Sequence, residues 1–148
     1  MINKLKLIKR NYDDVIFKAK RKDNDEWVEG YYSKSPDPIF AFLKDYIFAP
    51  YFDYDKERGY DNGYQINPDT LCQYTGKKDC NKKKIWEHDI VEEGCNGLIG
   101  IVVWDNDLGT YRLQNLDGEY GEDYIIKDAH LEWEVIGNVF DNPELLDN

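Results

Sequence analysis

Leu98-Ile99-Gly100-Ile101-Val102-Val103-Trp104 is the stretch on which the fold class turns. Seven residues in a row carry no charge, and most are β-branched or aromatic, the composition of a strand. Both faces are apolar, so the strand is expected to be buried on both sides or to close a barrel. Gly100 interrupts it, which marks a bend or the close approach of another backbone.

Short strand-like runs separated by turn residues extend from it in both directions. Upstream lie Thr70–Thr75, ending at Gly76, the polar turn Lys77–Lys82, the run Ile85–Val91, and the turn Gly94-Cys95-Asn96-Gly97. Downstream, Asp105–Gly109 turns the chain, Tyr111-Arg112-Leu113-Gln114 alternates, and Asp117-Gly118 is a hairpin signal. Leu131–Phe140 reads as the last strand. Asn142 is placed to cap a helical turn with Pro143 at its first position and Glu144 beside it, from which Leu145 and Leu146 pack back. Regular spacing with Gly/Asp/Asn turns indicates a small antiparallel barrel or sandwich. Asp89-Ile90-Val91, a Gly-rich turn and Gly100-Ile101-Val102 are similar to the first hairpin of an SH3-like barrel.

The first half is less regular. Val15–Lys20 and Trp27–Tyr32, joined by the polar turn Lys22–Glu26, predict a hairpin. Ser35-Pro36-Asp37-Pro38 breaks the chain. Ile39, Phe40, Leu43, Tyr46 and Ile47 then fit either a short amphipathic helix ending before Pro50 or a pair of irregular strands, and Asp53–Gly63 is a Tyr/Asp/Gly-rich loop. The expected organisation is therefore mainly β. Residues 1–66 form an N-terminal β hairpin region with an irregular, partly helical insertion, and residues 67–148 a small antiparallel SH3-like barrel.

Composition narrows the function classes. The chain has 148 residues, a net charge of −11 and 15% aromatics. No run of 18 or more apolar residues exists, so no membrane span is expected. No apolar segment follows the basic N-terminus, so no signal peptide is expected either. Three cysteines, an odd number at unequal spacing, argue for a reducing cytoplasm rather than a disulfide framework. Charge is uneven: residues 1–22 hold eight Lys/Arg against Asp13 and Asp14, whereas residues 105–148 hold twelve acids against Arg112 and Lys127. The acidic region repels a free phosphate backbone.

The elements of chemistry do not assemble into a known site. Cys72, Cys80, His88 and Cys95 have seven, seven and six residues between them, whereas structural zinc ligands come in close pairs. Asp53–Gly59 begins like a calcium loop, but its glycine is one position late and its twelfth position is Tyr64. Asp105-Asn106-Asp107 is a generic turn. Thr75-Gly76-Lys77-Lys78 lacks the remaining residues of a P-loop. Nucleophilic catalysis has only His88 and His130 to draw on. A Cys80–His88 pair is conceivable, but nothing marks that thiol as activated. Neither an enzyme, a metal nor a cofactor is expected. Lys77, Lys78, Lys82, Lys83 and Lys84 form a basic turn beside Tyr74 and Trp86, the feature that favours nucleic acid. The bland reading is a solvated hairpin tip whose lysines deter edge pairing. Trp27, Trp86, Trp104 and Trp133 are read as core rather than platform.

Gln73-Tyr74-Thr75-Gly76, Asp79, Ile85, Glu87 and Asp89-Ile90-Val91 resemble the core motif of the YopX family of bacteriophage and prophage proteins. Trp133–Leu146 resembles the family's C-terminal signature, and Phe17-Lys18-Ala19 and Trp27-Val28-Glu29-Gly30 its weaker N-terminal motifs. The resemblance implies a phage or prophage origin and a mainly β structure, and it implies no activity. Two positions depart: the family usually has glycine where Lys82 and His88 stand. A tight type I′ turn after Asn81 therefore comes into question, because lysine is strained at positive φ.

The expected role is a non-catalytic accessory module that binds a phage or host protein in the host cytoplasm. The alternative is a nucleic-acid-associated module using Lys77–Lys84, and self-association is a further expectation. Gln73, Tyr74, Thr75, Asp79, Lys82, Lys83 and Asp89 are the candidate binding residues. Their bland role is the hydrogen bonding that fixes the turn.

Overall fold

The computed structural model describes residues 8–36, 43–48, 54–55, 60–61, 63–94, 97–115 and 132–147. Its strands are β1 (Phe17–Lys20), β2 (Trp27–Pro36), β3 (Leu43–Phe48), β4 (Tyr54–Asp55), β5 (Tyr60–Asp61), β6 (Gly63–Gln65), β7 (Cys72–Lys78), β8 (Lys84–Trp86), β9 (Asp89–Glu93), β10 (Ile99–Asp105), β11 (Thr110–Asn115) and β12 (Trp133–Asn138). Single 3-10 turns lie at Tyr12–Asp14, Pro68–Thr70 and Pro143–Leu146.

The fold is mainly β and antiparallel, as expected, but the described strands do not close a barrel. They form a six-stranded sheet, β6-β3-β2-β1-β7-β8, a four-stranded sheet, β11-β10-β9-β12, and the short pair β4-β5. The break falls within Ile85–Val91, which the sequence presents as one strand. His88 has φ 68°, a left-handed conformation that breaks regular strand pairing. Its N–H bonds Val102 O at 2.8 Å and its carbonyl takes the Val139 N–H at 3.1 Å. The chain therefore leaves one sheet at β8 and enters the other at β9. The first sheet also joins strands from both sides of position 66, since β1 lies between β2 and β7.

The predicted first hairpin forms, pairing Phe17 with Gly30 through Lys20 with Trp27. Leu43–Phe48 is a strand rather than part of a helix. Six of its residues pair with β2 and three with β6, and that two-sided pairing outweighs the helical spacing of Leu43, Tyr46 and Ile47. Ile39, Phe40, most of Asp53–Gly63, Asp117-Gly118 and His130 lie outside the described residues, as does Cys95.

Three apolar clusters hold the sheets. Ile85 joins Val91, Val102, Leu113, Trp133 and Val135 between β8 and the four-stranded sheet. Ile16, Cys72, Tyr74 and Trp86 form a second cluster, flanked by Trp27 and Phe140. Ala19, Ile47 and Ile66 form the third. In β10, Gly100 and Val102 are buried while Ile101 and Val103 are only half-buried. The strand is thus one-sided, contrary to the expectation of burial on both faces. Gly100 does mark a close approach: a Cβ there would lie 3.3 Å from Leu113 Cβ.

The C-terminal end departs from its expected cap. Asn142 precedes the 3-10 turn with Pro143 at its first position, as expected, and its carbonyl accepts the Leu145 N–H at 3.1 Å, but its side chain makes no capping bond; its Oδ1 accepts the Asn138 N–H at 3.2 Å. Gly137 permits that approach, since a Cβ there would stand 2.6 Å from Asn142 Oδ1. Asp141 closes the loop onto β1 and β2, accepting from Lys20 Nζ at 2.6 Å and Trp27 Nε1 at 2.7 Å. Burial opposes its ionisation, yet the bonds from Lys20, Trp27 and Asn138 hold the carboxyl down at about 2.

Candidate functional site

The seven candidate residues separate into three places. Asp79 is 1% exposed and works inside the β7–β8 turn. Its Oδ1 accepts the N–H groups of Asn81 at 2.9 Å and Lys83 at 2.8 Å, and its Oδ2 accepts that of Val135 at 2.9 Å. One carboxylate therefore closes a hairpin of the first sheet and ties it to β12 of the second. Lys82, exposed at the tip, has φ 65°. Asn81 is not at positive φ, so the turn is not type I′. It is a turn closed by Lys82 N–H to Asp79 O at 3.0 Å, with a single left-handed residue. Asp79 supplies the bonds that hold lysine where glycine is the easier residue.

Gln73, Tyr74 and Thr75 floor a groove of about 380 Å³ that Gly76, Trp104, Tyr111, Arg10, Asn11 and Asp14 complete. The Gln73 carbonyl accepts the Glu87 N–H at 2.9 Å, and Thr75 Oγ1 donates to Ile85 O at 2.7 Å. The motif residues thus serve the local turn and line the groove as well. Val102 pairs with Leu113 and Trp104 with Tyr111, so the face that packs in the core continues outward to the groove. Trp104 is 45% exposed there and meets Tyr111 edge-on at 5.0 Å between centroids. Burial raises both the Tyr74 and Tyr111 phenols above their ordinary range, so each is a neutral hydrogen-bonding group at pH 7.

Lys83 and Asp89 line a different cleft, of about 450 Å³, with Lys18, Glu29, Lys84, Trp86 and β12 residues 135–138. Asp89 is 2% exposed. Its Oδ2 accepts the Trp86 N–H at 2.8 Å, and its Oδ1 lies 3.9 Å from Lys18 Nζ. Burial pushes its carboxyl up to about 6, against the pull of Lys18.

A family model described as YopX protein matches residues 16–147. The chain belongs to the YopX family. No curated protein matches it. In this YopX-family chain the match runs from the residue before β1 to the residue after the final 3-10 turn, so it takes in both sheets. Of the groove, only Arg10, Asn11 and Asp14 lie before its start.

His88 faces Cys72, with Nδ1 3.6 Å from Sγ, rather than Cys80. Cys72 is buried and its thiol is pushed up to about 12 by desolvation, which removes the thiolate that nucleophilic chemistry requires. Among the described residues no group of three or more His, Cys, Asp or Glu is placed to hold a metal ion. No helix among them is long and apolar enough to cross a membrane. Trp86 and Trp133 are core, as expected, whereas Trp104 is not. Residue-by-residue reading passed over Lys18, Trp104 and Tyr111 as site residues. For the latter two the signal was present: Asp105–Gly109 sets the hairpin register that pairs them.

Proposed function

We propose that this chain is a non-catalytic accessory module of a phage or prophage, binding a phage or host protein in the bacterial cytoplasm. The observation that carries this reading is the groove in which Trp104 and Tyr111 stand out from the core over Gln73-Tyr74-Thr75. Aromatic walls beside hydroxyl, amide and Arg10 groups supply area and orientation at low entropic cost, the chemistry of polypeptide recognition. The test is affinity capture from bacterial cells carrying the protein, with the intact chain and Trp104→Ala as baits. One stoichiometric protein is expected on the intact chain, unaffected by nuclease and lost from the variant. Recovery indifferent to Trp104 overturns the reading.

A second reading rests on the exposed Lys77, Lys78, Lys82 and Lys83 around the β7–β8 tip, which suit a phosphate backbone. It predicts salt-dependent DNA affinity that Lys82→Glu with Lys83→Glu abolishes, and nucleic acid rather than protein in the capture. Self-association would appear as concentration-dependent light scattering.

A further inference from the structure

We propose that the cleft between β1, β8 and β12 is a carboxylate-binding site centred on Lys18. It shares no lining residue with the aromatic groove, so the two readings stand or fall separately. Lys18 projects from β1 with its side chain only 13% exposed. Its ammonium sits 4.5 Å from the centroid of Trp27 and 5.4 Å from that of Trp86, with Asp89 Oδ1 at 3.9 Å. The rings attract the charge without accepting a hydrogen bond in the ordinary sense, and 3.9 Å is an ion pair but too long for a hydrogen bond. Among the described residues no acceptor lies within hydrogen-bond distance of this ammonium, which borders a cleft of about 450 Å³. Its N–H groups are therefore open to an acceptor that enters the cleft.

The charge around the cleft selects the acceptor. Lys18, Lys83 and Lys84 face Glu29 and Asp89. Lys84 is matched by Glu29 at 3.5 Å and Lys18 by Asp89, while Lys83 makes no ion pair with a described residue. One positive charge remains. A monoanion neutralises it, whereas a phosphate dianion overshoots and meets Glu29 and Asp89 with a second negative charge. A carboxylate supplies two acceptor oxygens and a single charge. Its source is either a free small acid or the terminus or acidic side chain of a polypeptide.

The test is a two-dimensional NMR titration of the full chain with acetate, N-acetylglycylphenylalanine, the C-terminal amide of that dipeptide, and inorganic phosphate. The dipeptide acid is expected to shift the Trp27 and Trp86 indole N–H signals and the Lys83 and Gly137 amides saturably, with a Kd of about 1 mM or tighter. The amide is expected to leave them in place. Lys18→Met is expected to weaken binding about tenfold or more. Lys83→Met, at an exposed and unpaired position, carries the same test if Lys18→Met fails to fold; Lys78→Met, outside the cleft, leaves affinity unchanged. Matching shifts from acetate identify a free small acid, and shifts from the dipeptide acid alone identify a polypeptide. Equal response to acid and amide, tighter binding of phosphate, indifference to Lys83→Met, or no saturable shift overturns the proposal.

Discussion

The Asp79 carboxylate accepts the backbone N–H of Val135 at 2.9 Å across 56 residues of chain. The same group holds Asn81 and Lys83 in the turn beside it. It helps fix the β7–β8 hairpin and β12 against each other, together with the Asn81 Nδ2 to Glu134 Oε1 bond at 3.2 Å and the Cys80 N–H to Trp133 O bond at 3.0 Å.

Asp79→Ala is expected to destabilise the fold by about 3–5 kcal/mol, because buried donors lose a charged acceptor. Urea unfolding measures this. Hydrogen exchange at the Val135 amide should accelerate more than at Val91, which keeps its strand partners. A loss under about 1 kcal/mol would remove Asp79 from its linking role.

Asp89 makes stability fall as pH rises over a narrow range. Its carboxyl titrates near 6 in the folded chain and near 3.8 otherwise. Below that window both states hold the proton; within it the folded state holds it more tightly; above it the folded state bears the full cost, about 3 kcal/mol. Relative to the parent, Asp89→Asn should gain stability between pH 4 and pH 7, measured by urea unfolding in a buffer series. A pH-independent difference would contradict the assignment.

Lys82 and His88 both occupy left-handed backbone, at φ 65° and 68°. Lys82→Gly should stabilise by about 0.5–1 kcal/mol, the relief of left-handed strain less the freedom gained by the unfolded chain. His88→Gly gains less, because it also loses the edge contact with Phe140 at 5.6 Å. Thermal unfolding of the two variants distinguishes them, and a destabilised Lys82→Gly would show that the turn does not require that conformation.

Gly137→Ala places a methyl group 2.6 Å from Asn142 Oδ1, forcing Asn142 off the Asn138 N–H. A loss of about 1–3 kcal/mol is expected, with a changed tryptophan signal in near-ultraviolet circular dichroism, since the neighbouring loop holds Trp27 through Asp141.

Cys80 is exposed and Cys72 buried. In a Cys95→Ser background at pH 8, a thiol reagent should consume one equivalent quickly and the second only on unfolding, since the Cys72 thiol stays protonated until about 12. Two fast equivalents would place Cys72 at the surface.

Much of the fold is legible locally. Val15–Tyr32 announces its hairpin through alternation and a polar turn, and Leu98–Trp104 announces β10 through β-branched residues. Ile85–Val91 misleads because a break at His88 has only a weak local signature: histidine enters left-handed backbone more often than most residues but far less than glycine, and the glycine that would have signalled it is absent. The Leu43–Ile47 spacing misleads because helical periodicity and half-buried strand aromatics coincide over so short a run.

Candidate residues follow the same division. The run Gln73–Thr75, Asp79 and Asp89 stood out by motif, but their separation into a turn lock, an aromatic groove and a charged cleft did not. The sequence by itself determined a mainly β chain, most of its turns and its family. Only the tertiary structure decided that the strands divide into two sheets, that Trp104 leaves the core, and that Lys18 lies between two tryptophans. Those outcomes depend on pairings between residues far apart in the chain, and local propensity carries no information about such distances.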